Sequence, residues 1–231
     1  MKLCRALGVR SKDVIALVGG GGKTTAMFRL ADELIAQGKH VVTTTTTRIF
    51  AAQIRLAPQH LLYDGSCDFA TRVREALAAH PHILIVGAES DAASSRRRQF
   101  VDSGTTHDDA SQDGKAFGVP PALIDELIAL DEVDGVINEA DGSRMRPFKA
   151  PTAHEPVLSD STTLLVPVIG VHALGAPLDD AHVHHAEIAA RLAGARLGET
   201  LTPTVAARVI AHAEGGLKNK PPAAHVVALV N

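Results

Sequence analysis

The sequence has no tryptophan, one tyrosine and six phenylalanines, so aromatic residues make up 3% of its 231 residues. That is too few for a platform that stacks the bases of single-stranded nucleic acid. There are two cysteines, Cys4 and Cys67. Two give neither a disulfide framework nor the paired thiolates of a metal site, and they suit a reducing compartment, so a cytoplasmic location is expected. Charge of one sign is also missing: 23 Lys and Arg face 26 Asp and Glu, a net charge of -3. No global field recruits nucleic acid or an acidic membrane. No apolar run approaches the ~20 residues that cross a bilayer. The N-terminus carries Lys2 and Arg5 without the apolar stretch of a secretory signal. Neither nucleic acid nor membrane is an expected partner.

What remains is an aliphatic chain, 45% hydrophobic, with enough apolar residues for one large core. Asp13–Val18 is a continuous apolar run, as in a parallel strand buried on both faces. After Thr24 the period changes, with Met27, Leu30, Ala31, Leu34 and Ile35 on one helical face and Gly38 placed to end it. His40 to Thr44 reads as the second strand and Leu61–Tyr63 as a short third. Asp68 is a candidate cap for a helix that Pro81 stops, and His82–Val86 is a further strand. Residues 88–118 are polar, aperiodic and read as a mobile loop. Pro120-Pro121 starts another helix, Gly135–Glu139 is a strand, and Leu164–Val168 is a strand whose Pro167 predicts an edge or a bulge. Helices are expected over His185–Leu192 and Pro203–Ala213, the second capped by Thr202, and a last strand over His225–Val230. The alternation predicts an α/β fold, a mostly parallel P-loop NTPase-like sheet with helices on both faces. Residues 1–231 read as one nucleotide-binding domain, with 170–220 as a small C-terminal helical subdomain.

The chemistry centres on Gly19-Gly20-Gly21-Gly22-Lys23-Thr24-Thr25, between the first strand and the first long helix. The full pattern G-x-x-x-x-G-K-[ST] would need glycine at position 17, which is Leu17. The match is to a shorter loop, G-x-x-G-K-T-T, similar to that of the Mur and folylpolyglutamate ligases. Glycines let backbone N–H groups converge on an anion at the positive end of a helix. Lys23 is expected on the β- and γ-phosphates, Thr24 on Mg²⁺ and Thr25 near the α-phosphate.

The strand ending at Glu139 is followed by Asp141-Gly142. An acid at that strand end suits a Mg²⁺ ligand or a water-orienting group, so both carboxylates are candidate metal ligands with Thr24. Their separation by two puts them on one side of an extended strand, where they could share an ion. The row Thr43–Thr47 with Arg48 ends the second strand, and Thr45, Thr46 and Arg48 are candidate contacts to phosphate, water or metal. Arg144, Arg146 and Lys149 are candidate cations for transition-state charge or an anionic second substrate. His154-Glu155 is a candidate acid–base pair, though a weak signal. His182, His184, His185 and Glu187 resemble a metal cluster, but in a chain with 12 histidines one neighbouring acid does not complete a site. Arg96–Arg98 reads as a solvated face, and Cys67 as the more exposed thiol.

Taken together, Val18–Thr25, Thr43–Arg48, Asn138–Ser143, Lys149-Ala150-Pro151 through His154-Glu155-Pro156, Gly170–Gly175 and Gly215–Lys218 resemble the YqeC-like accessory family of selenium-dependent molybdenum hydroxylases. The resemblance covers most of the chain. It implies an association with selenium cofactor biosynthesis, a nucleotide-dependent step, and a molybdenum hydroxylase or its cofactor as partner. Two departures stand out. His184-His185 replaces an expected His-Arg, and the chain stops at Asn231 where related chains continue as Asn-Lys-x-Asp, which leaves ATP versus GTP open. Three functions follow: a Mg²⁺-dependent NTPase or phosphoryl-transfer enzyme, a non-catalytic nucleotide switch or cofactor-delivery chaperone, and a small-molecule kinase or ligase.

Overall fold

A computed structural model describes residues 2–47, 49–50, 54–87 and 115–231. After a short helix α1 (Leu3–Leu7), β1 (Asp13–Gly19) leads into α2 (Lys23–Ile35) and β2 (Val41–Thr45). Then come β3 (Ile49–Phe50), β4 (His60–Tyr63), α3 (Phe69–Ala79), β5 (His82–Gly87), β6 (Lys115–Ala116), α4 (Pro121–Ile128) and β7 (Gly135–Glu139). The C-terminal part holds β8 (Phe148–Lys149), β9 (Leu164–Ile169), β10 (Val183–His184), α5 (Ala186–Ala193), α6 (Pro203–Ile210), β11 (His225–Val226) and β12 (Leu229–Val230).

The main sheet runs β4-β5-β2-β7-β1-β9-β11, with β12 also on β9, and every pairing in it is parallel. This is the expected α/β arrangement. Alternate residues of the central strands serve opposite layers. Ile15, Leu17, Val41 and Ile137 pack under α1 and α2, with Met27 and Leu30. Val14, Val42 and Val136 face α3 and α4, with Val73, Leu77, Ile124 and Leu127. A third cluster gathers α5 and α6 over Phe148, Ile169 and Leu201. All strands of this sheet point the same way, so the ends of β1, β2 and β7 open on one crevice. Among the described residues no helix is long and apolar enough to cross a membrane.

Pro167 is not on an edge, because β9 is paired on both sides. The carbonyls of Leu165 and Ile169 accept from Val227 and Asn231 N–H groups on the outer side. Pro167, midway between them, therefore faces that side too, and there the last strand breaks into β11 and β12. The missing N–H is met by a gap in the partner strand. Asp68 precedes α3 but its side chain makes no cap bond, whereas Thr202 Oγ1 does accept from Val205 N–H at 3.2 Å. The loop expected over 88–118 lies outside the described residues up to 114, as does Arg96–Arg98. Its last part is ordered: β6 pairs antiparallel with β3, and Phe117 bridges Gly87.

His82, 2% exposed, packs its Nε2 against the Thr43 hydroxyl at 2.8 Å, and burial lowers its pKa to about 4. A histidine depressed in the folded state is protonated more readily in the unfolded chain. Its contribution to stability is thus complete above pH ~6.5 and is lost as pH falls toward 4. Urea unfolding should show a His82-dependent loss of about 1.5 kcal/mol between pH 6.5 and 5, absent in a His82→Gln protein. Parallel pH profiles for the two proteins would contradict this.

Candidate functional site

β1 ends at Gly19, and the chain turns through Gly20–Gly22 into α2. Gly19 and Gly22 adopt φ of 95° and 100°, in the left-handed region that favours glycine. At Gly20 the constraint is space, since a Cβ would lie 2.1 Å from the Pro147 carbonyl oxygen. Gly20 N–H donates to Val168 at 2.7 Å and so belongs to the sheet. The N–H groups of Gly21 and Gly22 have no partner among the described residues. Gly22 caps α2 without a side-chain bond, and the first turn holds no acid. The helix therefore presents its positive end bare of protein carboxylate within that turn.

Lys23 is 2% exposed and its Nζ donates to the Gly19 carbonyl at 2.8 Å and the Gly20 carbonyl at 3.2 Å. The same ammonium lies 3.2 Å from Asp141 Oδ1 and 3.9 Å from Glu139 Oε1. Thr24 Oγ1 donates to Glu139 Oε2 at 2.7 Å. These contacts join β7 to the glycine turn because β7 lies beside β1 with Glu139 in register with Leu17.

The two acids do not share a role. Asp141 receives Gly19 N–H on both oxygens at 3.0 Å and is ion-paired to Lys23 and to Lys149, the latter at 3.4 Å. It is 2% exposed and faces away from the cleft, whereas Glu139 lines it. Of the two acids that could share an ion, Glu139 lines the cleft and Asp141 does not, because β7 ends at Glu139 and the alternation of an extended strand ends with it. Burial pushes the Glu139 carboxyl above its usual range, against the pull of Lys23 and Thr24. A carboxylate held there beside a hydroxyl offers the hard oxygens that suit Mg²⁺.

The cleft measures about 660 Å³. Its lining includes the glycine turn with Lys23, Thr24 and Thr25, and, from the C-terminal half, Arg144, Met145, His172, His184 and His185. Arg144 and Met145 are consecutive left-handed residues at φ 47° and 61°, and both are exposed. His184 and His185 stack at 3.8 Å between ring centroids. Burial, then the neighbouring His185, Lys149 and Arg144, brings the His184 pKa down to about 4.

Several candidates fall elsewhere. Lys149 is completely buried, donating to Gly142 and to Glu155 Oε1 at 2.7 Å, so it is an internal counter-charge and not a cation facing the cleft. Burial works against the charge of Glu155, but Lys149 and Thr152 hold its pKa below the ordinary value. His154 lines a separate groove with Asn219, so no His154–Glu155 acid–base pair faces the glycine turn. Arg146 donates to the Asp180 carbonyl at 2.8 Å. Thr45 and Thr46 donate to the carbonyls of Glu139 and Val157 at 3.0 and 2.8 Å, leaving Thr47 as the member of the row that lines the cleft. Arg48 lies outside the described residues. His182 pairs with Asp179 at 2.8 Å instead of joining His184 and His185. No metal-binding cluster of His, Cys, Asp or Glu occurs among the described residues.

The residues that sequence reasoning missed are Thr47, Glu155 as a wall of the cleft, the His184–His185 pair and Asn231. β12 carries Asn231 to the turn, where a Cβ on Gly22 would lie 2.0 Å from Asn231 Nδ2. The pairing of β10 with β8 sets His184 opposite Lys149. A two-residue strand is too short to leave a periodic signal.

The family model for the YqeC protein matches residues 15–187, a span that contains the glycine turn, Glu139, Asp141 and both histidines of the stacked pair. The chain is 32% identical over 218 residues to the uncharacterized protein YqeC of Escherichia coli (strain K12), covering 94% of this chain and 75% of that protein. No solved structure gives a significant match. With the family model covering most of the chain and a relative 32% identical over 94% of it, the chain belongs to the YqeC family.

Proposed function

We propose that this protein binds a nucleoside triphosphate with Mg²⁺ and hydrolyses it or transfers its γ-phosphoryl group. One observation carries the reading: Lys23 and Thr24, at the start of a helix after a glycine turn, meet Glu139 from the adjacent strand end. The N–H groups of Gly21 and Gly22 and the start of α2 receive the phosphates. Lys23 exchanges its two carbonyl partners for phosphate oxygens, keeping Asp141 as its anchor. Thr24 and Glu139 supply oxygens for Mg²⁺, which when bound neutralises charge on the β- and γ-phosphates. Arg144, which also lines the cleft, stabilises charge that develops on the transferred group. ATP and GTP both suit these contacts, since none of them touches a base.

The motifs shared with accessory proteins of selenium-dependent molybdenum hydroxylases support a place for this step in maturing the selenium cofactor of those enzymes. The near balance of charge and the small number of cysteines suit a cytoplasmic protein.

Calorimetric titration with ATP and GTP in parallel, with Mg²⁺ and with EDTA, tests the core of this reading. We expect micromolar binding of at least one nucleotide, weakened about 10-fold or more by EDTA, with phosphate or NDP formation only when Mg²⁺ is present. Absence of binding to both nucleotides would remove the assignment.

A further inference from the structure

The C-terminal half of the chain gives the cleft a wall with a chemistry of its own. Its polar side chains are mainly donors: the exposed Arg144 guanidinium and the stacked imidazoles of His184 and His185. Beneath them the buried Lys149 ammonium sits in register with His184. The two carboxylates that line the cleft are both engaged, Glu139 by the Thr24 hydroxyl at 2.7 Å and Glu155 by Lys149 at 2.7 Å. A hydroxyl acceptor for a phosphoryl group needs a base close to its proton. Both carboxylates are held by other partners, and His184, brought to about 4, is a poor proton acceptor at neutral pH, which leaves His172 and His185 as the imidazoles a hydroxyl acceptor would have to use. An acceptor that is already an anion needs no base. It needs cationic and N–H donors, which this wall supplies.

The backbone supports a binding role for the wall. Arg144 and Met145 hold consecutive left-handed conformations, and His185 holds a third at φ 64°, as the residue before α5. Non-glycine residues in that region cost of order 1 kcal/mol or more each and gather at ligand sites. Here they turn Arg144 and His185 toward one cavity.

We propose that Arg144, His184 and His185 form an acceptor subsite for a small molecule bearing a carboxylate or phosphate, whose oxyanion takes the γ-phosphoryl group directly. This rests on the nucleotide reading above and extends it to the second substrate. In the transfer, an oxygen lone pair of the acceptor forms the new P–O bond. The bond from the γ-phosphorus to the bridging oxygen breaks, and its electron pair leaves with the nucleoside diphosphate. No proton has to be placed. A carboxylate acceptor gives an acyl phosphate, a mixed anhydride that a following reaction must consume with a nucleophile; a phosphate acceptor gives a diphosphate.

The test uses the full chain saturated with Mg²⁺ and a non-hydrolysable triphosphate analogue, so that the γ-phosphate position is filled. Malonate and inorganic phosphate are then titrated by calorimetry. We expect at least one to bind at millimolar concentration or below; which one binds separates a carboxylate from a phosphate acceptor. His184→Gln, and His185→Asn, which keeps a residue tolerant of left-handed φ, should each weaken that anion about 10-fold, with analogue affinity changed less than about two-fold. If either histidine variant fails to fold, His184→Asn and His185→Gly, the latter also tolerant of left-handed φ, serve the same comparison. A loaded protein that binds neither anion, or variants that bind them as the parent does, overturns the subsite. Failure of the parent to bind the analogue at all overturns the nucleotide reading instead.

Discussion

Lys23→Ala is expected to weaken triphosphate binding by about 100-fold or more and to reduce Mg²⁺-dependent turnover to background. Charge-assisted hydrogen bonds contribute about 1.5–3 kcal/mol each, and Lys23 is placed to make two of them to phosphate. Its ammonium is already dehydrated, 2% exposed and positioned by two carbonyls and Asp141. Little side-chain entropy is left to lose when phosphate arrives. The fold should survive, because Asp141 keeps Gly19 N–H and Lys149 as partners when Lys23 is gone. Calorimetric titration beside the parent, with urea unfolding as the fold control, reads both quantities. Equal affinities would take Lys23 out of the assignment.

The second large effect separates the two carboxylates that sequence spacing left equivalent. Asp141→Asn should destabilise the protein by about 3–5 kcal/mol. That substitution removes the charge facing two buried ammonium groups, Lys23 at 3.2 Å and Lys149 at 3.4 Å. Breaking one member of a buried ionic group leaves uncompensated charge, which is far more costly than losing an exposed pair. Glu139→Gln should behave differently. Burial raises the Glu139 pKa and so works against its charge in the fold, and a glutamine of the same size removes that charge without leaving a cavity. Its stability should stay within about 1 kcal/mol of the parent while Mg²⁺-dependent turnover falls about 100-fold. Urea unfolding and phosphate release on the two variants decide this. An Asp141→Asn protein as stable as the parent, or a fully active Glu139→Gln protein, would reverse the assignment.

The parts legible in the sequence are those with a strong local cause. Asp13–Val18 could only be a strand buried on both faces, and the glycines before Lys23-Thr24 a turn into a helix. Glu139 was legible because a parallel sheet brings strand ends together. The roles of the threonines and of Lys149 were not, because they depend on side-chain direction beyond a strand end. Thr45 and Thr46 turn to carbonyls and Thr47 to the cleft, although all three are the same residue in one row. Lys149 looked like a surface cation in a basic loop, yet it is completely buried against Asp141 and Glu155.

By itself the sequence determined the α/β class, the glycine turn before Lys23-Thr24 and the likeness to one family, because hydrophobic period, glycine content and motif spacing are local properties. Only the tertiary structure decided which acid lines the cleft, and that His184 and His185 line it too. Those outcomes depend on strand order, on β8 pairing with β10, and on β12 carrying Asn231 to Gly22. Contacts between residues so far apart in the chain leave no periodic trace in it.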